Sequence, residues 1–378
     1  EVFNKPMYKI SLADGRSIKV SEDHINTIIH RRQKRVNGKR VNFLDRRNIT
    51  TKELLQIPLT ASRKTTDKNP KGKENKVWIP LCSPVQFPTQ DLPIDPYTLG
   101  LLIGDGSMDR ETGFSRLHAH KDDYETYLAN IPYDIGTINK TKDCYAISIL
   151  GLGSEIKKLG LNRSGLEKFI PKIYEVGSVK QRQELLQGLM DTDGTIYSNG
   201  GMSYCTVSPQ LADDVCNLVR SLGGVSSVSE GKSDSPLGRY FRVNIRINLQ
   251  IFKLKRKMDR QRFNHVDKVA VTSIEEIPVE PSQCIMVSNQ SKTFLTTGYT
   301  VTHNSTLKEF LILYLGVYGD LPNFGKVPYA LYVSDSIDNG VKKMRKSLEY
   351  RWNNSEFLQT YIPEIKFTDI RWEFINKQ

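Results

Sequence analysis

The chain has 378 residues, with 54 Lys or Arg against 42 Asp or Glu, a formal net charge of +12 and an isoelectric point near 9.3. That length allows two or three domains with real cores, and the basic excess favours a polyanionic partner such as double-stranded DNA over an acidic or neutral one. Five cysteines, Cys82, Cys144, Cys205, Cys216 and Cys284, lie without C-x-x-C spacing, which argues against a disulfide framework or a zinc site and fits a reducing cytoplasm. No apolar run approaches the roughly 18 residues that cross a bilayer, and no charged-then-apolar leader opens the chain. Neither a membrane nor a secreted protein is expected.

Residues 1–20 alternate apolar and polar positions, Tyr8, Ile10 and Leu12 and then Ile18 and Val20, around Ala13-Asp14-Gly15-Arg16. Alternation around an Asp-Gly turn predicts a β-hairpin, and so an all-β opening. From His24 to Lys76 there are fifteen Lys or Arg against four Asp or Glu. That segment reads either as a solvated, partly mobile insertion or as a DNA-contacting arm. Near Asp95 the texture changes to helices and strands in a pattern that occurs twice. Tyr97 to Gly104 predicts an apolar helix ending at Asp105-Gly106, then a strand from Gly113 to His120 and a helix from Lys121. Leu185 to Thr192 predicts a helix ending at Asp193-Gly194, then a strand from Met202 to Ser208 and a helix from Pro209. In both copies the second helix is expected 16 positions after the aspartate. Such a duplication implies a pseudo-twofold domain.

Short β-like runs return from Ile274 and end in Thr300-Val301-Thr302-His303-Asn304. After Ser305 the pattern predicts an apolar helix Leu307 to Tyr318, a buried strand Tyr329 to Val333 and an amphipathic helix Asn339 to Arg351. Residues 305–378 hold ten Lys or Arg and nine Asp or Glu, so nearly all the excess basicity lies before Ser305.

The first residues with chemistry of their own are His303-Asn304-Ser305. An Asn amide can attack its own backbone carbonyl, forming a succinimide and cleaving the following peptide bond, when a neighbour such as His303 protonates the leaving amine. A hydroxyl at the next position, Ser305, can hold an acyl group as an ester before that cleavage. The run from Phe294 to Ser305 resembles the C-terminal splice junction of inteins, and Asp14-Gly15-Arg16-Ser17-Ile18-Lys19-Val20-Ser21-Glu22-Asp23-His24 resembles their upstream histidine motif. By that resemblance His24 strains and polarises the N-terminal scissile peptide, with Ser21 where the family usually has Thr.

Leu99-Gly100-Leu101-Leu102-Ile103-Gly104-Asp105-Gly106 and Leu186-Gln187-Gly188-Leu189-Met190-Asp191-Thr192-Asp193-Gly194 both resemble the LAGLIDADG motif of homing endonucleases. Small residues four apart, Gly100 with Gly104 and Gly188 with Thr192, lie on one helix face and let two backbones approach. Close packing then sets Asp105 and Asp193 side by side. Two such carboxylates repel unless a cation sits between them, and oxygen ligands suit a hard ion such as Mg²⁺, which supports phosphodiester cleavage. The resemblance gives Lys168, in Leu166-Glu167-Lys168-Phe169-Ile170-Pro171, the role of steadying phosphate charge. Its second-repeat counterpart is one of Lys253, Lys255, Lys257 and Lys268.

Ser305-Thr306 before an apolar helix is how a Walker A motif ends, without the Gly-Lys that should precede it. An element inserted between Lys and Ser of a P-loop produces this pattern, and the tail, with Ala330-Leu331-Tyr332-Val333-Ser334-Asp335, resembles the ATPase region of phage large terminase subunits. The resemblances together imply a multidomain chain. A mostly-β Hint (splicing) domain takes residues 1–94 and 263–304, an α+β pseudo-twofold endonuclease is inserted at 95–262, and an α/β P-loop ATPase fragment of the host, the C-extein, takes 305–378.

Two departures from the intein pattern matter. The first splicing block, with its Cys or Ser nucleophile, is not present; it belongs to a separate N-terminal intein fragment carrying the N-extein, as in split inteins, or the chain is truncated. Cys284 stands where many inteins have Asp, and Lys292 where His is common. A minority class uses a Cys there as the branching nucleophile and has a Thr before the penultimate His, as Thr302 is here, but that class also carries a Trp where Asn26 stands. Two other readings remain: a splicing element with an inactive nuclease, and a DNA-binding packaging ATPase without splicing.

Overall fold

In a computed structural model the described residues are 5–62, 72–109, 115–232, 238–263, 266–280, 287, 291–303, 307–321, 325–330, 341–368 and 371–375. The chain divides into two units, one of residues 2–281 with 294–302 and one of residue 1, 282–293 and 303–378.

The larger unit opens with β1 (Met7–Leu12) and β2 (Ser17–Ser21), the expected hairpin, in which Ile10, Leu12, Ile18 and Val20 are buried. The next two strands, β3 (Ile25–Val36) and β4 (Lys39–Thr50), form a hairpin of twelve residues a side. Across this stretch the basic segment is a two-stranded ribbon whose outer part, residues 32–42, is exposed to solvent. Ile28, Ile29 and Ile49 anchor its base in the core, and Asn37-Gly38, with φ of 50° and 76°, supplies the paired left-handed residues of a two-residue hairpin turn. Residues 63–71 of the basic segment lie outside the described residues.

After α1 (Thr51–Leu55), β5 (Thr60–Ser62) and β6 (Lys73–Asn75) comes β7 (Val77–Pro80), which pairs with β3. A strand from far along the chain completes the sheet. It pairs with both β1 and β7, giving six strands in the order β2-β1-(Lys268–Ile277)-β7-β3-β4. Its core holds Ile10, Leu12, Ile28, Val77, Ile79, Val269, Val271 and Val301.

Between these strands the two repeats fold alike. The first is α2 (Pro96–Asp105), β8 (Gly106–Met108), β9 (Ser115–His120), α3 (Tyr124–Asn130), β10 (Ile135–Lys140) and β11 (Cys144–Ile149). After α4 (Gly153–Lys158) and α5 (Lys172–Glu175) the second follows: α6 (Val179–Thr192), β12 (Gly194–Ile196), β13 (Met202–Thr206), α7 (Pro209–Ser221), β14 (Val225–Lys232) and β15 (Arg239–Arg246). Their sheets run β8-β9-β11-β10 and β12-β13-β15-β14, the same topology twice.

The expected matched spacing is not kept. In the first repeat the helix after the strand begins at Tyr124 rather than Lys121, because residues 121–123 turn first and Asp123 becomes the N-cap. In the second, Ser208 caps α7 by accepting from the Leu211 N–H, and Pro209 occupies its first turn. Helix α6 starts earlier than Leu185, since Ser178 and Gln181 make a capping box ahead of the apolar run.

The unit closes with α8 (Lys255–Met258), β16 (Lys268–Ile277) and, apart from the end residues Thr293 and His303, β17 (Thr293–Leu295) and β18 (Val301–His303), the last two paired around a turn at Gly298 and Tyr299. This turn is tied to the opening hairpin. The buried pair Asp14–Arg16 is 2.7 Å apart, Arg16 Nη1 donates to the Tyr299 carbonyl at 3.1 Å, and Arg220 of α7 donates to the Asp14 carbonyl at 3.0 Å.

In the smaller unit, α9 (Leu307–Tyr318) matches the expected apolar helix, while the amphipathic helix, α10 (Lys342–Asn353), begins later than Asn339. Leu313, Met344 and Leu348 form its core, with Trp372 and Phe374 packed against them. Tyr329 and Ala330 are not in a strand, and Tyr329 is 76% exposed; the rest of the expected buried strand, 331–333, lies outside the described residues. No described helix is long and apolar enough to cross a membrane.

Candidate active site

Helices α2 and α6 meet at glycines. A Cβ on Gly100 would stand 2.4 Å from the Leu185 carbonyl oxygen, and one on Gly188 would stand 2.2 Å from that of Tyr97. Any side chain there collides with backbone, so the pair of glycines sets how near the helices come. One turn on, Gly104 faces Thr192, whose hydroxyl would be 1.9 Å from a Cβ. Leu99, Leu101, Leu102, Leu185, Leu186 and Leu189 are fully buried around this contact in one core shared by both repeats.

The packing carries the aspartates at the two helix ends into each other's field. Asp105 is the last residue of α2 and Asp193 is the C-cap of α6. Burial pushes the Asp193 carboxyl up to about 6, and the charge of Asp105 adds to the rise while Lys168 and Lys257 oppose it. Asp105 is exposed on one side but backed by protein; loss of solvent raises its carboxyl too, against the pull of Lys168, Lys257 and His118. Among the described residues no group of three or more His, Cys, Asp or Glu gathers in a metal-binding cluster. The hard oxygen donors at this point are the two carboxylates.

Lys168 and Lys257 sit at corresponding places. Lys168 Nζ donates to the Gly104 carbonyl at 2.7 Å. Lys257 Nζ donates to the carbonyls of Met190 at 2.8 Å, Asp191 at 2.7 Å and Gly194 at 2.7 Å, with Thr192 at 3.4 Å. A helix C-terminus leaves carbonyls without partners and carries partial negative charge, so each ammonium satisfies and neutralises the end of one motif helix. Desolvation lowers the Lys257 ammonium to about 8, with Asp191 holding it up. Lys168 is lowered for the same reason, with Asp193 and Asp105 opposing.

Lys257 is thus the one of the four candidate lysines whose ammonium reaches the motif. Lys253 instead donates to Asn130 and lies over the Tyr97 ring at 4.0 Å, Lys255 is exposed, and Lys268 pairs with Asp267. The spacing narrows the choice without deciding it: Lys168 is 64 residues from Gly104, while Lys255 and Lys257 lie 63 and 65 from Thr192, the equivalent position.

Asp191 carries no local sequence signal of its own. It is buried, where its first-repeat equivalent is Ile103, and it accepts from Tyr97 Oη at 2.9 Å and from the N–H groups of Lys253 at 3.0 Å and Leu254 at 3.2 Å. These bonds pin the segment that leads into α8 and so place Lys257. Arg256 beside it grips Asp123 of the first repeat through two bonds, at 2.8 and 2.6 Å.

With this geometry in place, residues 180–257 match the family model described as a LAGLIDADG-like domain. This part of the chain is LAGLIDADG-like. The match runs from the first turn of α6 to Lys257. Over 235 residues the chain is 29% identical to the replicative DNA helicase DnaB of Mycobacterium intracellulare, an overlap of 59% of this chain and 37% of that protein. The chain therefore spans little more than a third of that relative's length. Among solved structures it is similar to mesophilic variants of the homing endonuclease I-DmoI, at 15% identity and a TM-score of 0.28, covering 44% of this chain and 86% of that one. It is similar at the same TM-score to the N-terminal LAGLIDADG domain of DUF199/WhiA, at 8% identity, covering 46% of this chain and 83% of that one.

The remaining expected residues lie elsewhere. His24 follows β2, and its Nε2 is hydrogen-bonded to Thr302 Oγ1 across 278 positions of sequence. Its carbonyl accepts from the Thr51 N–H at 2.9 Å and from the Asn26 amide at 3.2 Å. His303 ends β18. Cys284, Asn304 and Ser305 lie outside the described residues.

Proposed function

We propose that this chain is a protein-splicing element housing a LAGLIDADG homing endonuclease, which cuts double-stranded DNA with Mg²⁺ held by Asp105 and Asp193. The observation that carries the nuclease reading is the meeting of α2 and α6 at Gly100 and Gly188, with an aspartate and a lysine-capped carbonyl end on each helix. The carboxylates fit the ion: they are hard oxygen donors, and the repulsion that helps hold the Asp193 carboxyl near 6 is what a divalent cation relieves. When bound, Mg²⁺ supplies Lewis-acid charge for phosphodiester cleavage. Lys168 and Lys257 hold positive charge beside the carboxylates, where it offsets the phosphate's. Asp191 positions Lys257 through the backbone of residues 253–254.

The splicing half rests on the intein resemblance. In it the Asn304 side-chain nitrogen attacks the Asn304 carbonyl carbon, the succinimide forms as the bond to Ser305 breaks, and His303 gives a proton to the leaving amine. Ser305 takes the upstream acyl group as an ester before that step. The contact of His24 with Thr302 supports this reading, since it joins the residue of the upstream histidine motif to the run that resembles the C-terminal splice junction. An N-terminal intein fragment with its N-extein is the proposed partner. Residues 305–378 are read as the host flank. The terminase resemblance and the likeness to a DnaB helicase have a DNA-handling host in common.

The test supplies the upstream fragment and a plasmid bearing the uninterrupted host gene. Splicing yields a ligated host product, and Mg²⁺ yields linear plasmid that EDTA prevents. Absence of both products overturns the proposal.

A further inference from the structure

We propose that the β3–β4 hairpin is a second DNA-contacting element, a two-stranded ribbon that lies in the major groove and presents one arginine-and-amide face to the bases. The choice of duplex DNA as partner rests on the nuclease reading; the hairpin's own features say what form the contact takes. Residues 32–42 are all exposed, beyond the base that Ile28, Ile29 and Ile49 bury. At ~3.4 Å per residue the stretch from Arg31 to the tip projects about 20 Å, and a two-stranded ribbon is of a width that the roughly 12 Å major groove admits.

The register sorts the side chains. Arg31 pairs with Leu44, Gln33 with Asn42, Arg35 with Arg40, and Ile29 with Arg46. Directly opposed residues share a face, and alternate residues along a strand share it too. One face therefore carries Arg31, Gln33, Arg35, Arg40, Asn42 and Arg46, with the exposed Leu44 among them and no acidic residue. Gln33 Nε2 donates to Asn42 Oδ1 at 3.0 Å, which lines the two amides up across the ribbon. Arg31 is paired with Glu74 at the base; among the described residues Arg35, Arg40 and Arg46 have no carboxylate partner.

On the opposite face, which also carries Val36, Lys39 and Val41, two of the basic side chains are engaged internally. Arg32 pairs with Asp45 at 2.9 Å, and Lys34 lies over the Phe43 ring at 5.4 Å. The contrast selects the first face. Arginine pairs with guanine O6 and N7, and Asn or Gln with adenine N6 and N7, along the major-groove edge. Unpartnered arginines at the tip concentrate like charge that only a polyanion relieves. A membrane surface asks for basic charge but has no use for a row of aligned amides.

The experiment uses the full chain and its Arg35→Ala/Arg40→Ala variant, with Lys157→Ala/Lys158→Ala as a control for lost charge elsewhere. Binding is measured against a mixed-sequence duplex of about 40 base pairs, the same duplex with 7-deazaguanine throughout, and phosphatidylserine vesicles. The hairpin variant is expected to bind the ordinary duplex at least about tenfold more weakly and to lose about two from the slope of log K against log salt. The parent is expected to bind the 7-deazaguanine duplex more weakly than the ordinary one, and the hairpin variant to bind both alike. Unchanged affinity and slope, an equal loss in the Lys157/Lys158 control, a parent indifferent to 7-deazaguanine, or vesicle binding with the same arginine dependence each overturn the proposal. A chain that grips duplex through Arg35 and Arg40 but never cuts it sinks the nuclease reading alone.

Discussion

Lys257 stands to the end of α6 as Lys168 stands to the end of α2: each lays its ammonium on the carbonyls of a motif helix, Lys168 at Gly104 and Lys257 at Met190, Asp191 and Gly194. The two differ in how much of the fold depends on them. Lys257 is buried and makes several bonds, whereas Lys168 is half-buried and makes one.

That difference predicts two kinds of defect. Both Lys168→Ala and Lys257→Ala are expected to lower cutting by ~100-fold, the scale of a lost electrostatic group in a reacting site. Lys257→Ala is also expected to cost about 3 kcal/mol of stability, because it strands buried carbonyls that a charged donor satisfied. Lys168→Ala should cost less than half as much. Denaturant melts of the two variants check this; equal losses contradict the assignment of Lys257 as the buried cap.

The helix contact makes its own prediction. Gly188→Ala places a methyl against the Tyr97 carbonyl and the Leu101 N–H, backbone atoms that have no rotamer to escape into. A loss of about 3 kcal/mol is expected, the upper range for overpacking. Gly165→Ala, whose Cβ would meet only Val207 at 3.6 Å, should stay within about 1 kcal/mol. Melting curves of both, with the order reversed, would refute the close approach.

Asp193 gives a pH dependence with a definite sign. An aspartate in an unfolded chain titrates near ~3.9, and in the fold this one is raised to about 6. The folded state binds the proton more tightly, so its contribution favours the fold below about pH 4 and is lost as the pH rises through about 6. Without divalent cation the melting temperature should fall across that window, and Asp193→Asn should flatten the fall. Mg²⁺ should raise the melting temperature most above pH ~6, where the carboxylate is ionised. An equally steep fall in Asp193→Asn would show that the raised carboxyl belongs to another group.

Splicing is tested at the junction. Asn304→Ala should leave residues 305–378 attached whatever is supplied upstream. Cys284→Ala should splice more slowly but still splice, since Asn26 stands where a nucleophilic Cys at that position is accompanied by Trp. Hydroxylamine that releases an upstream fragment from the parent but not from Cys284→Ala would make Cys284 the branching nucleophile instead.

The sequence showed the motif helices plainly because glycines at fixed spacing and a terminal aspartate are local signals. It also placed the opening hairpin, where alternation and an Asp-Gly turn agree. Asn37-Gly38 is an equally local turn signal, set between two runs of arginine whose strands it joins. The start of α3 lies later than expected because residues 121–123 make a turn, closed by the Asp123 N–H on the His120 carbonyl, and Asp123 also meets Arg256 far along the chain. Asp191 could not be ranked above any other polar residue of a helix. Its role exists only where Tyr97 and the backbone of residues 253–254 arrive together.

Cutting by single aspartate variants bears most directly on the shared carboxylate site. The full chain, Asp105→Asn and Asp193→Asn are each incubated with Mg²⁺ and a plasmid carrying the uninterrupted host gene, and linear product and DNA affinity are read from the same samples. The parent should linearise the plasmid, and each variant should bind it with near-parental affinity and leave it uncut. Full-rate cutting by both single variants would contradict the pairing of Asp105 with Asp193 at the end of the two helices.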